Sequence, residues 1–368
     1  MTELDTSRLI SILSNPPKVQ YPVVLPDFFV DHFVLVPTFE QFIEDLKKLA
    51  KQGGGNLMES EQFIRRGGNC VNTASALFTL GLDSRIIVTT DEYGASLLRV
   101  LTPPGFNLSH VHTDGQLSST VSIETEFNGR KVNLMVSDSG SASSFTFSDL
   151  TPNDIQLIKD SGLVALVNLN HNKHGADLAH DLFKMIKEST DSITFMDIGD
   201  PSCNPHFIEP LLRKAICSGN IDVLGLNENE VGWLAWALTG HDEKWRNILN
   251  QPEEWINGAK LISKETRVRV ILHTPYFAAS ICGEDVVSVP TFQVETKIAC
   301  GSGDAFNAGL IYGLLLDLQY IDQLVLANAV AALYISSSES NHPTTNDILQ
   351  FLKSKPALSS SGEKLLMD

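Results

Sequence analysis

The sequence is poor in the features that mark exported, membrane-bound or nucleic-acid-gripping chains. Its five cysteines, Cys70, Cys203, Cys217, Cys282 and Cys300, are odd in number, widely spaced and without a CxxC pair. That spacing excludes a disulfide framework or a zinc ribbon and fits a reducing compartment, so a cytoplasmic location is expected. Long hydrophobic runs are also missing. The first twenty residues carry charges and prolines in place of an apolar leader core, and later apolar stretches are broken by Asp27, Asp31, Asp317 and Asp322. Neither a membrane span nor a secretory signal is expected. Basic residues are scarce, with 27 Lys and Arg against 44 Asp and Glu and a formal net charge of −17. Such a balance argues against nucleic acid or an anionic membrane as partner, while leaving room for a local backbone-amide pocket for phosphate.

What is present is an ordinary globular balance, 43% hydrophobic and 19% charged, over 368 residues, enough for a large buried core with a cleft. Residues 23–25 and 28–36 read as strands interrupted by aspartates, as at a sheet edge approaching a polar site. Residues 39–51 have helical spacing and stop at Gly53-Gly54-Gly55. A small-residue helix over 70–80 closes at Gly81, and 85–89 is a β-branched strand. Two alternating segments, 120–126 and 131–136, meet at Asn128-Gly129, a strong hairpin signal. From Gly162 on, apolar runs at 163–169, 192–196, 223–226 and 268–272 alternate with helical segments, which predicts βαβ units and a mainly parallel sheet. The tail from Ser359 is small and polar, and a loosely held end is expected there.

Three stretches carry chemistry. In Cys300-Gly301-Ser302-Gly303-Asp304, the glycines let backbone approach an anion and the following helix points N–H groups and its positive dipole end at it. Asp304 would then lie where a carboxylate can accept the proton of an attacking hydroxyl. The alternative is a plain glycine turn with Asp304 as a dipole-favoured first-turn residue. No Gly-Lys-Ser/Thr follows, so this is not a Walker A loop, and the GxGxxG spacing of a dinucleotide fold is missing. Gly67-Gly68-Asn69-Cys70-Val71-Asn72 sets two amide side chains three apart at a helix start, able to bond the hydroxyls of a polyol; the alternative is a turn with Asn69 as N-cap. Asn227-Glu228-Asn229-Glu230 follows a strand and is equally readable as a capping box. The pairs His110/His112 and His171/His174 lack an evident third metal ligand.

Taken together, Gly-Gly-Asn-x-x-Asn early, Asn-x-x-Glu in the middle and Gly-x-Gly-Asp late resemble the ordered signatures of the PfkB (ribokinase-like) carbohydrate kinase family, over roughly 23–352. The resemblance implies a single α/β domain spanning 1–368, a doubly wound mainly parallel sheet flanked by helices, with a small β lid built from about 28–38 and 111–147. It implies transfer of the terminal phosphoryl group of ATP, or of another nucleotide such as ADP, to a hydroxyl of a sugar or sugar-like substrate. Asp304 would be the base, with Gly301 and Gly303 supplying amides. Asp31, Gly67, Gly68, Asn69, Asn72 and Asn170 match the substrate side. Asn227, Thr274, Gly301, Ser302, Gly303 and Asn328 match the nucleotide side, and Glu230 would organise Mg²⁺ through water. A homodimer is implied in the same way. Two rivals stand beside this reading: a nucleoside kinase of the same family, and a non-catalytic ligand-binding or regulatory protein on the same scaffold.

The chain departs from the family pattern twice near the nucleotide. Lys297-Ile298-Ala299-Cys300 replaces the usual Asp-Thr before the glycine motif, and Leu272-His273-Thr274-Pro275-Tyr276 stands where a strand commonly ends in Thr-x-Gly.

Overall fold

Why the aspartates interrupt the first apolar stretch is plain from the chain path, which leaves one sheet and enters another between them. In a computed structural model, which describes residues 4–298, 300–339 and 341–366, the strands in chain order are β1 (Pro22–Leu25), β2 (Phe29–Thr38), β3 (Gln62–Gly67), β4 (Arg85–Ile86), β5 (Val88–Thr89), β6 (Val111–His112), β7 (Ser118–Phe127), β8 (Arg130–Asp138), β9 (Leu163–Val167), β10 (Ile193–Asp197), β11 (Val223–Leu226), β12 (Arg269–His273), β13 (Phe277–Cys282) and β14 (Asp285–Pro290). The main sheet has eight strands in the order β14-β13-β12-β11-β10-β9-β1-β4. Strands β4 to β12 in that row run parallel, and β13 and β14 close one edge antiparallel.

The middles of the parallel strands are largely apolar because both faces of the sheet are covered, and polar residues such as Asp197 and His273 fall at strand ends. In β9, Leu163, Ala165 and Val167 enter one core, with the helices Asn69–Thr79, Ser302–Leu315 and Tyr320–Ser336. Val164 and Leu166 enter the other, with the helices Gly175–Ser189, Glu228–Leu238 and Pro252–Thr266. The chain moves from β1 to β4 on one side and returns to β9 on the other. Strand order therefore reverses at β1, and a crevice at the carboxyl ends of β1 and β9 is the expected ligand position of such a sheet.

The second sheet has the order β3-β2-β7-β8. Its hairpin turns at Asn128 and Gly129, both with positive φ (52° and 74°), as the Asn-Gly signal predicts. The lid segment expected over 111–147 is narrower in the structure. Val111–His112 pairs instead with Val88–Thr89 in a separate two-stranded sheet, and 140–149 forms 3₁₀ turns. Conversely, β3, which ends on Gly67, joins the lid although no strand was expected there. Pleating puts Asp31, Arg65, Phe33 and Phe63 on one face of this sheet. Ile64, His32, Val121 and Val136 form a cross-strand row on the opposite face, where Ile64, Val121 and Val136 are exposed.

One further expectation is corrected. The tail is docked: Ser359 N–H donates to Thr291 O (2.8 Å), and the helix Ser360–Leu365 sets Gly362 against the Tyr276 carbonyl. His110 and His112 are engaged in hydrogen bonds, Nδ1 of one and Nε2 of the other to the buried Asp154 carboxylate at 2.6 and 2.9 Å. The same carboxylate accepts from Thr151 N and Oγ1, so the cluster ties β6 to the helix Pro152–Lys159. Among the described residues no helix is long and apolar enough to cross a membrane.

Candidate active site

The crevice is built on the carboxyl ends of successive strands. Asp27 lies just past β1, Asn168 just past β9, Asp197 ends β10, Asn227 follows β11 and His273 ends β12. At the switch point Asp27 is nearly fully buried and accepts from Asn69 N (3.1 Å), Cys70 N (2.9 Å) and Asn168 Nδ2 (2.7 Å). It thereby caps the helix Asn69–Thr79 from another element. Asn69 is the first helical residue, after Gly68 as N-cap, so the reading of Asn69 as N-cap is off by one residue. Burial pushes the Asp27 carboxyl up to about 6 against those hydrogen bonds.

One helical turn on, Asn72 Nδ2 donates to Asp304 Oδ2 at 3.1 Å, joining the early and late motifs. Asp304 is the third residue of the helix Ser302–Leu315 and is 6% exposed. Burial pushes its carboxyl well above the ordinary range, Asp197 and Asp27 add to this, and the Asn72 amide opposes it. Gly301 caps that helix in the left-handed region (φ 84°). A Cβ there would sit 2.6 Å from the Tyr334 hydroxyl, which donates to Cys300 O. The first-turn N–H groups of Ser302, Gly303 and Asp304 have no partner within the helix ladder, the condition in which a helix start can bind an anion.

Asp31 stands in β2 of the second sheet, within the strand expected over 28–36. It is opposite Arg65 in β3. Gly67 lies against it so closely that any Cβ would collide with the carboxylate. Burial, then neighbouring Asp27, raises the Asp31 carboxyl to about 6, while Thr120 opposes. Asp31, Asn72, Arg65, Arg66, Gly301 and Tyr334 line a cavity of about 1140 Å³ between the lid and the helix starts.

On the β10 to β12 side, Asn227 and Glu230 do form a reciprocal capping box: Asn227 Oδ1 accepts from Glu230 N (3.0 Å), and Glu230 Oε2 accepts from Asn227 N (2.9 Å). Glu230 is 3% exposed. Burial and then Asp197, with smaller parts from Asp200 and Glu228, push its carboxyl well up. Burial thus favours the neutral carboxyl in the ligand-free protein, and a hard cation nearby would favour the carboxylate. Among the described residues no three His, Cys, Asp or Glu side chains are grouped to hold a metal directly, so the donor set suits an ion held largely through water.

Three expected residues are placed less simply. Thr274 Oγ1 donates to Phe277 O and accepts from Tyr276 N and Phe277 N, so it is spent on the β12–β13 turn. Asn328 is buried and donates to Pro290 O (3.2 Å), bracing β14. Asn170 donates to Asp200 O on the acidic side and does not line the cavity with Asp31.

Sequence reasoning missed Asp27, Asn168, Asp197, His273 and Asn307. Asp197 accepts from Asn307 Nδ2 (2.7 Å) and Gly199 N (3.0 Å). The signal for Asp27, Asp197 and His273 was positional, since each directly follows or ends an apolar strand.

A family model described as pfkB family carbohydrate kinase matches residues 36–347. The chain belongs to the pfkB family of carbohydrate kinases. Similar solved structures include the ribokinase of Arabidopsis thaliana complexed with ribose and ATP, at 18% identity and TM-score 0.70, covering 91% of this chain and 99% of that one. The ribokinase of Cryptococcus neoformans var. grubii in complex with ADP is 16% identical (TM-score 0.68; 91% and 100% covered). The adenosine kinase of Sinorhizobium meliloti is 14% identical (TM-score 0.64; 92% and 99% covered). At these identities the likeness is one of fold, a mostly parallel sheet with a second small sheet. No curated protein matches the chain.

Proposed function

We propose that this pfkB-family protein transfers the terminal phosphoryl group of a nucleotide to a hydroxyl of a sugar or sugar-like acceptor, with Asp304 as the base. The observation that carries the reading is the Asn72–Asp304 hydrogen bond. It ties Asn72 of the early motif to Asp304, whose carboxyl burial pushes up, in the first turn of the helix that also carries the amides of Ser302 and Gly303, and this supports the base role. The acceptor enters the cavity under the lid, where Asp31 and Asn72 bind its hydroxyls. One hydroxyl gives its proton to Asp304 as it attacks in line, and the amides at Gly301–Gly303 hold the charge on the moving group. Mg²⁺, when bound, neutralises the donor phosphates; Glu230, oriented by Asn227, would hold its waters. The lid excludes water that would otherwise hydrolyse the donor.

A second reading is a nucleoside acceptor, favoured by the size of the cavity and by Phe33 and Phe63, which stack at 4.8 Å beside Arg65. A screen crossing ATP and ADP with sugars, sugar phosphates, inositols and nucleosides, with Asp304→Asn as control, separates these readings. The absence of transfer from any donor to any acceptor, with folded protein, would sink the kinase proposal in favour of a ligand-binding role. The outward row of Ile64, Val121 and Val136 is the surface we assign to a second copy of the chain, and a monomer in sedimentation would remove that assignment.

A further inference from the structure

We propose that the acceptor carries an anionic group of its own, a phosphate ester or a carboxylate, and that Arg66, assisted by His342, binds that group in the cavity beside Asn72. The proposal rests on the phosphoryl-transfer reading above and names its substrate class. Arg65 and Arg66 are neighbours in β3 and point to opposite faces of the strand. Arg65 lies over the Phe63 ring at 4.7 Å and opposite Asp31. Arg66 turns the other way, and its Nη1 donates to Leu101 O (3.0 Å) at the end of the helix Glu92–Leu101. That bond uses one of the five N–H groups of a guanidinium. Its Nε has no partner. Burial lowers the Arg66 pKa, and Asp304 opposes this only through space, because among the described residues no carboxylate is ion-paired with Arg66. A cation held out of water without a counter-charge is costly. Arg66 lines the cavity, so an anion entering there supplies the missing charge.

The neighbouring groups suit an anion as well. His342 also lines the cavity, and its ring stacks on Tyr334 at 4.9 Å. Burial and then Arg66 lower its pKa to about 3, so the imidazole is neutral at physiological pH and presents one N–H. Its Nδ1 is buried without a partner, placed to donate to the anion that Arg66 attracts. Tyr334 joins this corner to the point of transfer, since its hydroxyl donates to Cys300 O and Gly301 packs against the same hydroxyl. At about 1140 Å³ the cavity exceeds the usual 300–1,000 Å³ or so of small-molecule sites. It has room for a sugar whose reacting hydroxyl is at Asn72 and Asp304 and whose anionic group is at Arg66. As that hydroxyl forms the new P–O bond, the donor's terminal bridging P–O bond breaks and the proton passes to Asp304. A phosphate-bearing acceptor leaves with two phosphates.

The test compares the full chain with Arg66→Met, which keeps an unbranched stem without charge, and Arg66→Lys, which restores the charge. Transfer from ATP and ADP is measured to ribose 5-phosphate, fructose 6-phosphate and gluconate, and to ribose and fructose. Binding of each acceptor and each nucleotide is measured by calorimetry. The unaltered protein should prefer an anionic acceptor to its neutral counterpart by about tenfold or more in kcat/KM, the scale of one hydrogen bond to a charged group. The phosphates and gluconate tell an ester from a carboxylate. Arg66→Met should lose most of that preference and Arg66→Lys should keep part of it. His342→Phe, which retains the stack on Tyr334, should reduce it about threefold, and it decides the matter if Arg66→Met does not fold. Transfer to neutral sugars as good as to anionic ones overturns the inference and leaves the proposed function standing. So does an Arg66→Met variant that keeps the preference, or one that weakens only nucleotide binding. Arg66-dependent binding of an anionic acceptor without transfer from either donor does the reverse. Neither binding nor transfer of any anionic acceptor by folded protein also overturns it.

Discussion

The two sides of the crevice differ in which polar groups the protein holds and which it leaves unpaired. At the switch point, the proposed acceptor side, Asp27 holds three donors, Asn72 is bonded to Asp304, and Gly67 is fitted to Asp31; the unpaired buried groups there, Arg66 Nε, Thr125 Oγ1 and His342 Nδ1, lie on the cavity wall. On the proposed donor side, along the ends of β10 to β12, His273 Nε2, Asn307 Oδ1 and Asn170 Oδ1 are buried without partners, and burial pushes the Glu230 carboxyl well up. Each unmade bond costs about 1–3 kcal/mol in the ligand-free state. The comparison teaches that the acidic groups of the switch point are positioned by the protein itself, while on both sides the groups left unpaired are the ones a bound molecule would complete.

The largest effect that would break this comparison is at its midpoint. Asp304→Asn keeps the shape and the Asn72 contact in reach but removes the base, so kcat should fall by about 10²–10⁴-fold with acceptor KM little changed. Because burial disfavours the charged carboxylate, the same substitution should raise the ligand-free Tm at neutral pH, a trade of stability for function. Steady-state kinetics and a thermal melt check both; a variant within tenfold of the unaltered kcat removes Asp304 from the role of base.

A paired substitution sharpens the contrast. Gly301→Ala forces a side chain into the left-handed region and against the Tyr334 hydroxyl, which should distort the amide cradle. The expected loss is about 10- to 100-fold in kcat/KM for the nucleotide. Gly67→Ala pushes on Asp31 and should raise acceptor KM by about tenfold, with nucleotide affinity unchanged. If both variants damage donor and acceptor binding alike, the halves are not separable.

Much of this was legible in the chain because the signals are local. Strands 163–169, 192–196, 223–226 and 268–272 appear at nearly those positions, since a parallel strand covered on both faces is an unbroken apolar run. The helix Phe39–Lys51 and the Asn128-Gly129 turn follow from periodicity and turn chemistry. Strand β3 was not legible: Gln62-Phe63-Ile64-Arg65-Arg66-Gly67 mixes charge with apolar residues, and only pairing to β2 makes it a strand. In the site, the motif residues Gly67, Asn72, Gly301 and Asp304 do converge. Asp27 was visible only as an interruption of a strand, because its role as a helix cap comes from an element forty residues away. The surroundings of Thr274 were hidden for a similar reason: the β12–β13 turn engages its hydroxyl, and turn hydrogen bonds are not written in spacing.

The smallest expected effect concerns the acceptor half's own cost. Burial lifts Asp27 and Asp31 to about 6 from an ordinary 3.8. For groups raised on folding, the stabilising contribution is complete below the unfolded value, near pH 4, and is lost as pH rises through about 6. The ligand-free protein should therefore give up stability from these two carboxyls between about pH 4 and 7. Asp31→Asn should relieve its share, because Asp31 is opposed by the Asp27 charge, and its Tm advantage over the unaltered protein should grow across that window by about 1–3 °C and then level off. Asp27→Asn should instead destabilise at all these pH values, since an amide cannot accept from Asn69 N, Cys70 N and Asn168 Nδ2 together. Parallel melts of the two variants from pH 4.5 to 7.5 test this. The same sign for both would mean that Asp27 is not the brace that its three hydrogen bonds make it.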